Sequence, residues 1–184
     1  MSAATRHVLF VLLALLAVFV TAAWNLPRAW LGSPLSLLPP VLVCAALQEQ
    51  GSAWQWVAVV GGLARDSLSL DPLGVSILPL YLTGWFLSSH RELLLSELAF
   101  AQAILGLAVG AAVPLLTLGL VVASGDVPAM GGRLFWQWLV LTVSGGLITP
   151  AMFRIWRRVE AWFAHPMIPS TSFREDREIL RGKY

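Results

Sequence analysis

The chain has 184 residues, of which 58% are hydrophobic and only 12% are charged, and its formal net charge at pH 7 is +2. A soluble domain is usually about half apolar and about a quarter charged. A chain of this length cannot bury so much apolar surface in its own core, so the composition predicts an integral membrane protein. The small basic excess gives no indication of nucleic acid binding. The single cysteine, Cys44, excludes a disulfide scaffold and is interpreted as a small packing residue.

Six apolar runs follow one another along the chain, and each is interpreted as a transmembrane helix. Their approximate bounds are 8–24, 33–48, 53–66, 72–88, 98–123 and 134–153. The first run is also compatible with a signal peptide cleaved after Thr21-Ala22-Ala23. In the second, the continuously apolar part would span only about 20 Å as a helix, against a hydrocarbon core of about 30 Å. We expect one bundle of six helices within residues 1–158, and a cytoplasmic basic amphipathic extension with a charged tail over 154–184.

The basic residues indicate how the bundle is oriented, because they concentrate on the cytoplasmic side of a membrane protein. With a cytoplasmic N-terminus, the inside flanks hold Arg6, Arg91, Arg154, Arg157, Arg158, Arg174, Arg177, Arg181 and Lys183, and the outside flanks hold Arg28 and Arg133. Both termini are therefore expected in the cytoplasm.

Tryptophans cluster at the ends of the runs, as in the aromatic belts that lie at lipid headgroups. The outer belt would contain Trp24, Trp30, Trp136 and Trp138, and the inner belt Trp54, Trp56, Trp85, Trp156 and Trp162.

The connection between the third and fourth runs, 61–74, is unusually polar for its surroundings. Aspartate is a good N-cap and proline is favoured at the first helical position, so Asp71-Pro72 predicts the start of the fourth helix. Gly74 would then lie in the first turn of that helix, where a small residue permits close approach of another helix.

Arg65 and Asp66 fall where the third helix is still in or near the membrane. Neighbouring residues on a helix point in different directions, so these two do not pair with each other. Ionisable side chains at that depth usually face the protein interior or water. Asp66 has two interpretations, as a structural latch that accepts hydrogen bonds from the freed amides of a broken helix, or as a functional contact.

The pattern Gly62-Leu63…Asp66…Leu73-Gly74 resembles a motif of the rod shape-determining protein MreD family. Other similar features are the proline-rich start Ser33-Pro34, the last helix with Leu134-Phe135-Trp136 and Gly145-Gly146…Pro150, and the basic exit Arg154…Arg157-Arg158. The resemblance covers roughly residues 33–163 and leaves the tail after Phe163 without a counterpart.

This resemblance implies a non-enzymatic scaffold in the bacterial inner membrane that belongs to the cell-elongation machinery. Its partner would be MreC, in an assembly with the actin-like MreB, the RodA glycosyltransferase and the elongation-specific transpeptidase. It also implies a fold similar to the six-helix substrate-binding subunits of energy-coupling-factor vitamin transporters, and such a subunit is the alternative function. The scarcity of polar residues outside 61–74 counts against a vitamin pocket.

Small residues also recur on the fifth helix, as Gly106-x-x-x-Gly110 followed by Pro114. This spacing lets helices pack backbone to backbone, and the second helix belongs either to this bundle or to another protein. The candidate partner-binding residues are therefore Gly62, Asp66, Gly74, Gly106 and Gly110.

The segment 154–163 places Ile155, Val159 and Trp162 on one helical face, with the arginines elsewhere around it. This arrangement predicts a helix that leaves the membrane and lies at its anionic inner surface. The expected membrane-surface residues are Arg154, Trp156, Arg157, Arg158 and Trp162. A basic flank that only sets the topology is the simpler alternative. A capping box at Ser172…Glu175 predicts a short helix over 173–181, for which a solvated tail is the alternative.

The pattern of polar residues does not favour an enzyme. The histidines, His7, His90 and His165, lie far apart and none has metal-ligand spacing. Two carboxylates that share a proton must face each other, whereas Asp66 and Asp71 occupy one short connection. We therefore expect no catalytic residues, no cofactor and no metal.

Overall fold

All regular secondary structure in the described part of the chain is helical. The computed structural model describes residues 3–24, 26–48, 51–69, 73–91, 98–125 and 131–163. Over these ranges it contains α1 (Ala3–Ala23), α2 (Leu26–Leu31), α3 (Leu38–Gln48), α4 (Ala53–Leu68), α5 (Ile77–Ser89), α6 (Ala99–Ala123) and α7 (Gly132–Phe163). The predicted all-helical class is confirmed.

Three of the described helices, α1, α6 and α7, are long and apolar enough to cross a membrane, judged by length and composition. The helices α3 and α5 are apolar but have only 11 and 13 residues. At 1.5 Å per residue they rise about 16 and 20 Å, short of a hydrocarbon core of about 30 Å. The structure thus shows a helical protein with three candidate membrane spans, fewer than the six predicted from the apolar runs.

The second apolar run forms a helix only from Leu38, five residues later than predicted, and the short helix α2 before it was not predicted. Residues 34–37 have no regular structure. Proline restricts the residue before it to extended backbone, which disfavours helix before Pro34. Pro39 and Pro40 lie in the first turn of α3, where a missing N–H removes no intrahelical bond.

The fourth run begins as a helix at Ile77, not at residue 72 as predicted. Residues 73–76 form turns, and Gly74 has a φ of +99°, which does not fit inside an α-helix. The proposed cap Asp71 lies outside the described residues, as does the tail 164–184.

The last helix is continuous through Pro150 to Phe163. Residues 154–163 are therefore the final turns of α7.

The core is built around α3, which contacts α1, α4, α5, α6 and α7. Nine consecutive residues of this helix, from Leu38 to Ala46, are buried, and Cys44 is among them as a packing residue. The first and last helices meet beside it, where the rings of Phe10 and Trp156 stack with centroids 3.7 Å apart. A helix enclosed in this way packs against protein instead of lipid, which removes the need for it to match the bilayer thickness.

The glycines of α6 pack against α7 within the chain. A Cβ on Gly106 would collide with the Gly145 carbonyl oxygen and with Thr149, and a Cβ on Gly110 would lie 2.9 Å from the Leu141 carbonyl oxygen. In return, a Cβ on Gly145 would lie 2.5 Å from the Gly106 carbonyl oxygen. The second helix of the Gly106-x-x-x-Gly110 stripe is therefore α7.

Gly106→Ala should lower the free energy of unfolding by roughly 1–3 kcal/mol, because its methyl group would overpack against backbone that cannot turn away. Gly119→Ala on the same helix is the matched control, since a Cβ there has open space. Reversible unfolding in mixed detergent micelles compares the two variants. Equal stability of both would contradict the close α6–α7 packing.

Candidate functional site

Asp66 links the end of α4 to the beginning of α5. Its side chain is 1% exposed, and its Oδ2 accepts hydrogen bonds from the backbone N–H groups of Gly74, at 2.8 Å, and Ser76, at 3.2 Å. Because α5 begins at Ile77, this carboxylate caps the N-terminal end of α5 from the preceding helix. We call Asp66, Gly74 and Ser76 the latch.

The latch supplies a cap that α5 does not make for itself. Ser76 is the N-cap residue, but its side chain makes no capping hydrogen bond. The first amides of a helix have no partner within the helix and need an acceptor from elsewhere. A carboxylate suits this place because the N-terminal end of a helix carries partial positive charge.

The neighbouring charges Arg65 and Asp66 act at different helix ends. Arg65 lies in the last turn of α4, where partial negative charge favours a cation. Asp66 would be unfavourable there, but its carboxylate is turned to the positive end of α5. Each charge is thereby matched to one of the two helix ends that meet at this connection.

The two glycines of the latch region have different roles. A Cβ on Gly62 would lie 2.9 Å from Ile77 Cγ1 and 3.1 Å from Ile77 Cα, so this glycine lets the start of α5 pack onto α4. A Cβ on Gly74 would have no atom within 4 Å, so this position does not need glycine for space. It needs glycine because its φ is +99°, a left-handed conformation that other residues rarely adopt. The predicted role of Gly74 in close helix approach is therefore wrong.

The five candidate partner-binding residues all serve the internal structure of the bundle. Four are buried and Gly74 is half-buried; they are Gly62, Asp66, Gly74, Gly106 and Gly110. Of the two interpretations of Asp66, its burial and its two backbone hydrogen bonds support the structural latch.

The membrane-surface residues at the end of α7 divide into two groups. Arg154, Arg157 and Arg158 are exposed, and Trp162 is 90% exposed. Trp156 is only 1% exposed, because its place one turn after Met152 and Phe153 puts it on the face that packs against α1. Its prediction as a surface residue is wrong.

A second tryptophan of the predicted inner aromatic belt is also buried. Trp54 is only 5% exposed, because it lies at the start of α4 and packs into the core, with its ring against Tyr81 of α5. Trp56, Trp85 and Trp162 remain exposed.

A cavity beside Arg65 is a feature that the sequence did not reveal. Its volume is about 220 Å³, and half-buried Arg65 lines it together with Thr21, Ser36, Ser69 and Leu141, among others. We call it the arginine cavity. It forms where the non-helical segment 34–37 leaves space between α1, α4 and α7. The one sequence signal for it was an arginine that follows closely on an apolar run.

An apolar groove of about 480 Å³ lies between α6 and α7. It is lined by Pro114, Leu115, Leu118, Leu134, Phe135, Gln137, Trp138 and Leu141. Pro114 lacks the N–H that would bond to the carbonyl of Gly110, and the Trp138 indole N–H donates to the neighbouring carbonyl of Ala111 at 3.1 Å. The Trp138 side chain of α7 thus forms a hydrogen bond with the backbone of α6 close to its proline.

Comparisons with protein-family models, with curated proteins and with solved structures found no match.

Asp66→Ala should expose the start of α5 to faster amide exchange, because Gly74 and Ser76 lose their acceptor. Removal of such a cap costs roughly 0.5–2 kcal/mol. Hydrogen exchange of peptides over 73–80 measures the effect, and Asp66→Asn, which keeps one acceptor oxygen, should fall between Asp66→Ala and the native protein. Ser67→Ala is the control, since exposed Ser67 bonds only within α4, to the Ala64 carbonyl. Unchanged exchange in Asp66→Ala would refute the latch.

Proposed function

We propose that this chain is a non-enzymatic scaffold of the bacterial cell-elongation complex, of the MreD type. The observation that best supports this proposal is the latch. The residues that make the motif similar to that family, Gly62, Asp66 and Gly74, act together as one device that joins α4 to α5. The two leucines of the motif, Leu63 and Leu73, are exposed. The motif therefore combines a fixed backbone with an apolar exterior, which suits a membrane protein that positions other proteins.

We further propose six membrane crossings with both termini in the cytoplasm. The three candidate spans account for half of them, and α3, α4 and α5 are the shorter crossings. Backbone without helix is tolerated at membrane depth where it is buried in protein, as Ser33 is before α3. The stacking of Phe10 on Trp156 brings the beginning of α1 and the basic end of α7 to the same side, in accord with the positive-inside rule.

The proposed partner is MreC, with MreB, RodA and the elongation-specific transpeptidase in the same assembly and the lipid membrane around it. Gly62, Gly106 and Gly110 pack against helices of the same chain. A partner helix would therefore contact exposed apolar side chains instead. Leu63, Leu68 and Leu73 are exposed apolar side chains near the latch. The latch would then act on the partner indirectly, by holding these side chains in place.

The alternative, a substrate-binding subunit of a vitamin transporter, is favoured by one feature, the arginine cavity at the end of the bundle that we expect to be outside. Ligand pockets usually have volumes of about 300–1,000 Å³. The arginine cavity, at about 220 Å³, is smaller than that range. Its size supports the scaffold over the vitamin binder.

Accessibility of single cysteines tests the six crossings. In a Cys44→Ala background, Ser69→Cys and Ser124→Cys should react with a membrane-impermeant thiol reagent on intact cells. Ser89→Cys and Ala161→Cys should react only after permeabilisation, since they lie at the opposite end of the bundle. All four native residues are exposed. Labelling of Ser89→Cys in intact cells would overturn the topology.

Affinity purification of the tagged protein in mild detergent, followed by mass spectrometry, tests the function. We expect MreC and the elongation synthases to be recovered. Asp66→Ala should reduce the recovery of MreC while expression is retained, and Ser67→Ala should leave it unchanged. Recovery of a transporter ATPase pair or a bound vitamin would instead establish the alternative, and full recovery of MreC with Asp66→Ala would exclude the latch from the interaction.

A further inference from the structure

The arginine cavity and the apolar groove adjoin each other. A narrow space of about 10 Å³ shares Arg65 and Ser36 with the arginine cavity and Pro114 with the apolar groove. Leu141 lines the arginine cavity, the narrow space and the apolar groove alike. The arginine cavity and the larger apolar groove thus share Leu141 as a lining residue.

The arginine cavity has the chemistry of an anion site. Among the described residues that line it, Arg65 is the one with an ionisable side chain, and hydroxyl groups of Thr21, Ser36 and Ser69 accompany it. A guanidinium is always charged and presents its donors in a planar fork that fits phosphate and carboxylate oxygens. Arg65 already interacts within the chain, but its five N–H donors allow it to bind an anion in addition.

The surroundings of Arg65 indicate what kind of anion fits. Much of the cavity wall is apolar, with Val18, Leu35 and Leu68 among its lining residues. The adjoining groove is lined almost entirely by apolar side chains, and its volume of about 480 Å³ is sufficient for a ligand. A small hydrophilic anion would leave both apolar surfaces unused. An amphiphile with an anionic head and a hydrocarbon chain would match the cavity, the groove and their adjacency.

We propose that the arginine cavity and the apolar groove together bind one anionic phospholipid. The phosphate lies at Arg65, and one acyl chain passes over Leu141 into the groove between α6 and α7. The narrow space has room for about one water molecule, so the chain does not pass through it. The lipid would join α1, α4 and α7 at the end of the bundle that contains the latch. This site does not depend on the identity of any protein partner.

The test measures lipid that stays bound to the full chain. The protein is reconstituted in vesicles of phosphatidylglycerol and phosphatidylcholine, extracted in mild detergent and analysed by native mass spectrometry with quantification of the bound lipids. We expect retention of one phosphatidylglycerol in preference to phosphatidylcholine. Arg65→Gln should reduce its retention about tenfold, the effect of one lost charge-assisted hydrogen bond. Arg65→Lys should restore part of it.

Matched controls separate this site from general lipid attraction. Arg133→Gln removes an exposed arginine near the beginning of α7 and should leave retention unchanged. Leu141→Trp fills the junction of cavity and groove and should reduce retention without a change of charge. Leu147→Trp, at an exposed leucine on the same helix, should have no effect. Should Arg65→Gln fail to fold, the two tryptophan variants decide the question.

Several results would overturn the proposal. These are equal retention of the two lipids, equal loss in Arg65→Gln and Arg133→Gln, or equal retention in the two tryptophan variants. Displacement of the lipid by inorganic phosphate alone would mean that the apolar groove is not involved. Binding of an acidic peptide in place of lipid would assign the cavity to a protein partner. Recovery of MreC in the separate purification experiment is unaffected by any of these results, so the two proposals fail independently.

Discussion

The amide groups at the start of α5 need an acceptor, and the rest of the bundle depends on how that need is met. In an apolar environment an unsatisfied backbone N–H costs several kcal/mol, so the amides of the turn that leads into α5 require a partner. Asp66 provides this partner from the end of α4, at 2.8 Å from Gly74 N and 3.2 Å from Ser76 N. The angle and separation of α4 and α5 then follow, because Gly62 admits Ile77 at the same connection.

A second constraint is that the backbones of α6 and α7 approach too closely for side chains. Gly106, Gly110 and Gly145 provide this approach, and they leave the larger side chains of both helices to face outward or into the core. The short α3 is enclosed as a result, and the chain can use a helix of 11 residues at its centre. The glycines Gly106 and Gly110, which were predicted to contact a partner, therefore organise the interior of the bundle.

Much of this arrangement could be predicted from the sequence, and the failures have physical causes. Apolar runs predicted α1 and α3–α7, and an ionisable Asp66 beside an apolar run predicted either an acceptor for freed amides or a functional contact. The start of α5 was predicted five residues too early, because the Asp71-Pro72 signal is local whereas the real cap comes from Asp66, in the previous helix. Burial of Trp156 was also missed, since its ring is buried by the distant Phe10. The arginine cavity depends on the spacing of three helices, and a local sequence pattern does not predict that spacing.

The stack of Phe10 on Trp156 means that the first helix completes its packing only after most of the last described helix has been made. Some 145 residues separate the two rings, so α1, a candidate membrane span, is made long before its packing partner exists. The last described helix thus completes the bundle. A chain that stops short of Trp156 would keep most of its helices but would lack the stacking contact between the first and the last.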